Sequence, residues 1–286
     1  WLQLFSVENV GANPFLRPEE FLTCEQALVT GSVATVADPE RGPLTQVGPL
    51  ATLSETPAVI GAGVPRLGDT PPTFTWPARP GATKPAATKA AGRHPLQGIT
   101  VVELGFAYAA PYAMTLLAEL GARVIKVEPP TGDPARRNWT TTYAKELCGK
   151  ESVVADLKTE QGREIVRRLA ARADILLHNF RPGVPDKLGV DYPSMQALNP
   201  RLIYVYGSCY GSVGPWAHLP GFHSSPNAIA GTGVVEAGAG NAPQNRTFGD
   251  PAGAFALGAS TLLALYARER TGRGQYVEGT MLTALA

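Results

Sequence analysis

Cysteine is scarce in this 286-residue sequence: Cys24, Cys148 and Cys209 are odd in number and follow no metal-ligand spacing. The count predicts neither a disulfide framework nor a zinc site, and it fits reduced thiols in a cytoplasmic protein. A charge excess is also lacking. Twenty-five basic residues against 24 acidic ones leave a formal net charge of +1, with the two signs interspersed. That balance argues against nucleic acid and anionic membrane as partners. The longest nearly apolar run, Ala254 to Ala267, is too short to span a bilayer, and no basic-then-apolar leader is present, so neither secretion nor membrane insertion is expected. The Gly-rich dinucleotide fingerprint, the Lys-Ser/Thr nucleotide loop and the Gly-x-Ser-x-Gly elbow are missing as well. NAD, ATP and serine-hydrolase chemistry lose support accordingly.

What is present is ample core material, 44% hydrophobic residues, enough for one large or two ordinary domains. The chain opens on Trp1 and stops at Leu285-Ala286 inside an apolar segment, which suggests part of a longer polypeptide. In residues 1–69, Pro18 to Leu22 can open a short helix. Ser32 to Val36 and Leu44 to Val47 read as strands joined by the turn Asp38-Pro39-Glu40-Arg41-Gly42, while Leu53 to Pro57 and Pro65 to Asp69 read as ordered loop. This portion is too thin to build a core alone. Residues 70–94, rich in Pro, Ala, Thr, Gly and Lys, read as a linker and set a boundary.

From residue 95 apolar runs alternate with helical patterns. Ile99 to Leu104, Arg123 to Val127, Ser152 to Ala155, Asp174 to His178 and Leu202 to Tyr206 are strand candidates. Helices are expected from Pro111 to Leu120 and from Thr159 onward, the latter presenting Ile165, Val166, Leu169, Ala170 and Ala173 on one face. Strands separated by helices predict an α/β fold, a parallel sheet covered on both faces. Such sheets bind ligands beyond the carboxyl ends of their strands, here Gly105 to Tyr108, Glu128 to Pro130, Asn179 to Arg181 and Gly207-Ser208. Gly231-Thr232-Gly233 and Ala239-Gly240-Asn241 read as loop. Of the histidines, His94 and His218 fall in solvated segments, whereas His178 ends a strand and His223 precedes a helix-like stretch, so either can face a cleft.

The stretch Phe248-Gly249-Asp250-Pro251-Ala252-Gly253 places one carboxylate on a glycine and proline hinge before a long helical run that ends at Gly272. Asp250 as N-cap with Pro251 at the first helical position would accept backbone N–H bonds and stay ionised beside the helix dipole. Two readings follow: a helix cap, or an available carboxylate nucleophile with Gly249 allowing close approach of a ligand.

Leu96-Gln97-Gly98-Ile99 through Ala110-Pro111, Gly121 to Glu128, Asp156-Leu157-Lys158-Thr159, Asn179-Phe180-Arg181-Pro182-Gly183, Asn199-Pro200-Arg201-Leu202 and Thr271-Gly272-Arg273-Gly274-Gln275 together resemble class III coenzyme A transferases, the CaiB/BaiF family that includes formyl-CoA transferase and α-methylacyl-CoA racemase. The resemblance covers 95–286, in order. Residues 21–69, with Gly48-Pro49, Leu53 to Pro57 and Pro65 to Gly68, resemble the C-terminal tail of the same family. Tail before head implies a tandem fusion: 1–69 the end of one unit, 70–94 the linker, and 95–286 the CoA-binding and catalytic half of a second.

The resemblance implies a Rossmann-like domain that holds CoA, a smaller domain largely outside this chain, and interlocked subunits, as a homodimer or as an intrachain pseudo-dimer. It places the catalytic aspartate on Asp250, and CoA contacts on Ala107, Tyr108, Asp156, Leu157, Lys158, Asn179, Phe180, Arg181 and Lys187, with Lys150 as a further phosphate partner and Phe222 and His223 as further CoA-binding positions. No tightly bound cofactor is implied; acyl-CoA and a carboxylic acid are the substrates. Two departures stand out: Pro129 replaces a basic residue that many relatives carry, and Leu147-Cys148-Gly149-Lys150-Glu151 replaces an Asn-Arg-Asn-Lys-Arg type segment, so phosphate recognition is expected to be either weakened or rebuilt through Arg136 or Arg137. The rival enzymatic reading is the racemase branch, whose histidine would fall on Phe222, one residue before His223. A further rival is a non-catalytic CoA-binding or structural half of the fused assembly.

Overall fold

The computed structural model describes residues 1–60, 94–136, 145–245 and 248–286. The linker expected at 70–94 falls outside the described residues except for His94, as do the loop at 65–69 and Arg137. The expected parallel α/β fold is borne out. In chain order the main elements are β1 (Val33–Asp38), β2 (Gly42–Val47), β3 (Thr52–Leu53), β4 (Thr100–Glu103), α1 (Ala109–Glu119), β5 (Arg123–Glu128), β6 (Lys150–Val154), α2 (Glu160–Ala170), β7 (Ile175–His178), α3 (Val184–Leu188), α4 (Tyr192–Leu198), β8 (Ile203–Ser208), α5 (Ser224–Ile229), α6 (Thr232–Ala237), α7 (Gly249–Thr271), β9 (Tyr276–Thr280) and α8 (Met281–Leu285). A seven-stranded sheet runs β3-β9-β8-β7-β4-β5-β6. All its pairs are parallel except β3 with β9.

The strands read as unbroken apolar runs because both faces are covered. Val101, Ile175, Leu177, Ile203 and Val205 point into one core against Ala113, Met114 and Leu117 of α1 and Leu257, Ala264 and Leu265 of α7. Their neighbours Val102, Leu176 and Tyr204 point into the opposite core, against Val166 and Ala170 of α2 and Met195 of α4. This is the two-residue alternation of a strand expressed on two buried faces. Thr159 caps α2, its hydroxyl accepting from Gly162 N–H. Gly207 and Gly279, on adjacent strand ends, let Leu257 of α7 in: a Cβ there would lie 2.8 and 2.9 Å from its methyl groups.

Residues 1–60 pack onto this domain. The β1–β2 hairpin forms as expected, and Asp38 Oδ1 closes its turn by accepting from the N–H groups of Glu40 and Arg41 at 3.0 and 2.7 Å. The stretch at 53–57, expected as loop, begins instead in β3, which completes the sheet edge against β9; its two residues are too few to show a period. Phe21, Ala27 and Val33 share a third core with Tyr210, Ile229 and Leu282. Fully buried Gln26 bridges the two portions: its side-chain amide donates to Tyr210 O (2.9 Å) and Val213 O (2.7 Å) and accepts from Trp216 N–H (2.7 Å). Gln26→Ala removes the partner of three backbone groups, one of them buried and two partly buried, and a loss of about 2–3 kcal/mol is expected in urea unfolding.

Two further expectations are corrected. Gly231-Thr232-Gly233 is not loop: Gly231 adopts a left-handed conformation (φ 84°) and the chain turns directly into α6. Asp250 is not the N-cap: α7 begins at Gly249, its N-cap is Phe248, and Asp250 lies within the first turn without capping it.

Candidate active site

The carboxyl ends of β4, β7 and β8 and the start of α7 surround a cleft of about 400 Å³. Ala107, Tyr108, Asn179, Phe180, Arg181, Phe222, His223 and Asp250 all line it, brought together from four separate stretches of sequence. After β4 the backbone bends sharply, with Ala107 in the left-handed region (φ 63°), a strained position for a residue with a Cβ. Asn179, just beyond β7, holds that bend: its amide donates to Phe106 O at 2.7 Å and accepts from Phe106 N–H at 3.1 Å. Both polar ends of Asn179 are therefore engaged with the backbone. His178 braces the same corner, accepting from Phe180 N–H on Nδ1 (3.2 Å) and stacking on Tyr206 and Phe180. Burial pulls its pKa down to about 3, so it stays neutral.

Asp250 faces His223 across the cleft floor. Oδ2 lies 3.2 Å from His223 Nδ1, and the Asp250 N–H approaches the same nitrogen at 3.2 Å. Gly249 makes the approach possible, since a Cβ there would lie 2.3 Å from His223 O. The expectation that backbone N–H bonds keep Asp250 ionised is replaced by a different balance. Desolvation raises its pKa, and the charge and hydrogen bond of His223 oppose the rise. Around the pair stand Tyr108 and Cys209, both held neutral by burial.

Several predicted contacts lie elsewhere. Lys150 is buried and donates to Glu103 Oε2 (2.6 Å) and Pro111 O (2.7 Å), so its ammonium is committed inside the protein rather than open to a phosphate. Asp156, Leu157 and Lys158 follow β6, away from the lining of the cleft. Asp156 Oδ1 accepts the Lys158 N–H at 3.0 Å, Leu157 packs on the core, and Lys158 is exposed. Lys187, in α3, is exposed outside the cleft. Arg136 forks onto Glu128 with two 2.6 Å bonds, which holds that carboxyl down at about 2. Arg181 is exposed at the rim and donates to Asn9 Oδ1 at 2.7 Å.

Other residues of the site were not legible. Tyr210 lines the cleft, and its hydroxyl donates to Asn13 Oδ1 at 2.7 Å, across 197 residues of sequence that carry no signal linking the two. Glu146 is fully buried with neither carboxylate oxygen hydrogen-bonded among the described residues, and burial pushes its pKa up to about 8.

A Rossmann-like sheet with one half-buried carboxylate at the mouth of its strands defines the class of site. The family model for CoA-transferase family III matches residues 96–286, and the chain belongs to that family. It is 38% identical over 205 residues to the acetyl-CoA:oxalate CoA-transferase of Acetobacter aceti, covering 68% of this chain and 52% of the relative. To the succinyl-CoA--L-malate CoA-transferase alpha subunit of Chloroflexus aurantiacus it is 35% identical over 227 residues, covering 73% and 53%. A CaiB/BaiF family protein from Brucella suis superimposes with a TM-score of 0.60 at 35% identity, over 67% of this chain and 54% of that one. The chain thus spans about half the length of the curated relatives it matches. No helix among the described residues is long and apolar enough to cross a membrane.

Proposed function

We propose that this chain carries the CoA-binding and catalytic half of an acyl-CoA:carboxylate CoA-transferase in which Asp250 is the nucleophile. The observation that carries this reading is the placement of Asp250: a partly buried carboxylate at the strand ends, unhindered by Gly249 and contacted by one imidazole. A carboxylate oxygen attacks the acyl-CoA carbonyl, the C–S bond breaks, and the electron pair leaves on the CoA sulfur, giving a mixed anhydride. The thiolate then attacks the aspartyl carbonyl, releasing the donor acid and leaving an aspartyl-CoA thioester. The acceptor carboxylate repeats the sequence in reverse, and its acyl-CoA departs. Desolvation of the cleft strengthens the nucleophile and keeps water from the anhydride.

The racemase reading is weakened by the same geometry. Moving an α-proton from one face of a carbon to the other needs an acid and a base on opposite sides of that carbon. In this structure His223 and Asp250 are in direct contact rather than facing each other across a gap, and Phe222, where the racemase histidine would fall, carries no acid or base. Residues 1–69 are read as the tail of a preceding family unit, consistent with β3 and Gln26 joining 1–60 to the second domain. An interlocked dimer or intrachain pseudo-dimer in the cytoplasm remains part of the proposal.

The test uses the full-length protein, incubated with acetyl-CoA or succinyl-CoA and then hydroxylamine. A hydroxamate at Asp250 by mass spectrometry is the expected result. Solvent deuterium entering the α-position of a 2-methylacyl-CoA, with Asp250 unmarked, sinks the transferase reading in favour of the racemase. No labelling and no exchange leaves the non-catalytic reading standing.

A further inference from the structure

His223 Nδ1 lies at the same distance, 3.2 Å, from two groups with opposite demands. Asp250 Oδ2 accepts hydrogen bonds when ionised; the Asp250 N–H only donates. A single ring nitrogen carries either a proton or a lone pair, so Nδ1 serves one of these partners at a time. With a proton it donates to Oδ2. Without one it accepts the N–H, and its lone pair then faces the carboxylate oxygen. With Asp250 ionised, the favourable arrangement therefore has the proton on Nδ1, donating to Oδ2.

Resting on the nucleophile reading above, we infer that His223 is the positioning residue that keeps Asp250 ionised and oriented for attack. The geometry is locked from both sides. Gly249 packs close to His223 O, where a Cβ would lie 2.3 Å away, so the backbones that carry the two side chains are held together. His223 is also the first-turn neighbour of α5, whose buried Ser225, Asn227 and Ile229 fix its backbone. Burial alone drives Asp250 toward its protonated, non-nucleophilic form, and His223 is what opposes it. The attack forms the bond from Oδ to the acyl carbon and breaks C–S, and no proton needs to leave the imidazole for it to proceed.

The other titratable groups near Asp250 come from separate elements: Tyr108 from the bend after β4, Cys209 from the end of β8, and Glu146 from the segment before β6. The first two are held neutral, and Glu146 titrates at about 8, well above the range where a carboxylate nucleophile is lost to protonation. Because His223 is itself a titratable group, a shift of the acid limb is assigned to Asp250 by the 13C titration of its own carboxyl carbon.

The experiment compares the full-length protein with His223→Phe and His223→Asn, following kcat/KM against pH for transfer from succinyl-CoA. His223→Phe removes charge and donor together, and its acid limb is expected to move upward by about one pH unit or more. Asn keeps an N–H where Nδ1 stood but carries no charge, so His223→Asn is expected to restore most of the plateau and to shift the limb by less. A second readout needs no turnover: the 13Cγ shift of Asp250 in 13C-aspartate-labelled protein, assigned by its absence in Asp250→Asn, should titrate at higher pH in both variants. A limb and a 13C titration that stay at the wild-type position in both variants overturn the inference. Failure of the nucleophile reading looks different, with wild-type protein giving no hydroxamate while the 13C titration still reports the pair.

Discussion

Asp250→Asn is expected to fold as the parent protein does and to lose acyl-CoA:carboxylate transfer by about 10³-fold or more. An amide is too weak a nucleophile to open a thioester, and even if it did, no mixed anhydride could form. The structure makes the variant a clean one. Because the N-cap of α7 is Phe248 and the Asp250 side chain caps nothing, the substitution takes no hydrogen bond from the helix. The amide can still accept from, or donate to, His223 Nδ1. Removing a charge that burial disfavours should leave stability unchanged or slightly raised. Thermal unfolding and transfer assays on the same preparation therefore separate the two roles that the sequence left open. If activity falls only in step with melting temperature, Asp250 is structural. If activity collapses in a protein of normal stability, Asp250 reacts. Full transfer by the asparagine variant would refute the assignment.

The sheet was legible in the sequence for a specific reason. Val101-Val102, Ile175-Leu176-Leu177 and Ile203-Tyr204-Val205 are apolar at every position because each face meets a helix layer, so no periodicity was needed to find them. The edge was not legible. Tyr276 to Thr280 carries a glutamate and a glycine in five residues, and its partner Thr52–Leu53 lies more than 200 residues away. At the site, the local chemistry around Asp250 marked it, but the capping role assigned to it depended on where the helix begins, and helix starts are the least certain part of a sequence reading. Nor could its contact with His223 be read, since it depends on how α5 and α7 meet. Lys150 was misplaced because an isolated lysine in a polar segment reads as a surface charge, whereas its burial is decided by Glu103 on another strand. Asn179 read as a ligand contact; the structure engages both its polar ends with Phe106, so it shapes the bend that lines the cleft.

Glu103→Gln is expected to destabilise the fold by about 3–5 kcal/mol, the largest stability effect among these predictions. Glu103 is fully buried between two ammonium groups, with Lys126 Nζ 2.8 Å from Oε1 and Lys150 Nζ 2.6 Å from Oε2. Asp133 completes the cluster at 2.9 Å from Lys126, so two carboxylates balance two lysines. Glutamine leaves two buried cations facing one carboxylate. The two lysines also differ in a way that gives the effect a pH signature. Lys126, with two carboxylate partners, has its pKa raised despite burial, whereas desolvation wins at Lys150 and lowers it. A buried base with a depressed pKa binds fewer protons folded than unfolded, so its penalty is greatest at neutral pH and shrinks as pH rises toward the ordinary lysine value. The deficit of Glu103→Gln, read from urea midpoints, should accordingly narrow between pH 7 and pH 10. A Glu103→Leu, Lys150→Met double variant, which removes one charge of each sign, should recover much of the loss, because the balance of buried charge returns. The cluster also reaches the cleft: Lys126 Nζ donates to Gly105 O and Lys150 Nζ to Pro111 O, at either side of the bend that carries Ala107 and Tyr108. Loss of Glu103 should therefore raise KM for acyl-CoA at temperatures where the protein is still folded. A variant with wild-type midpoint and wild-type KM would show that these ion pairs hold neither the sheet nor the bend.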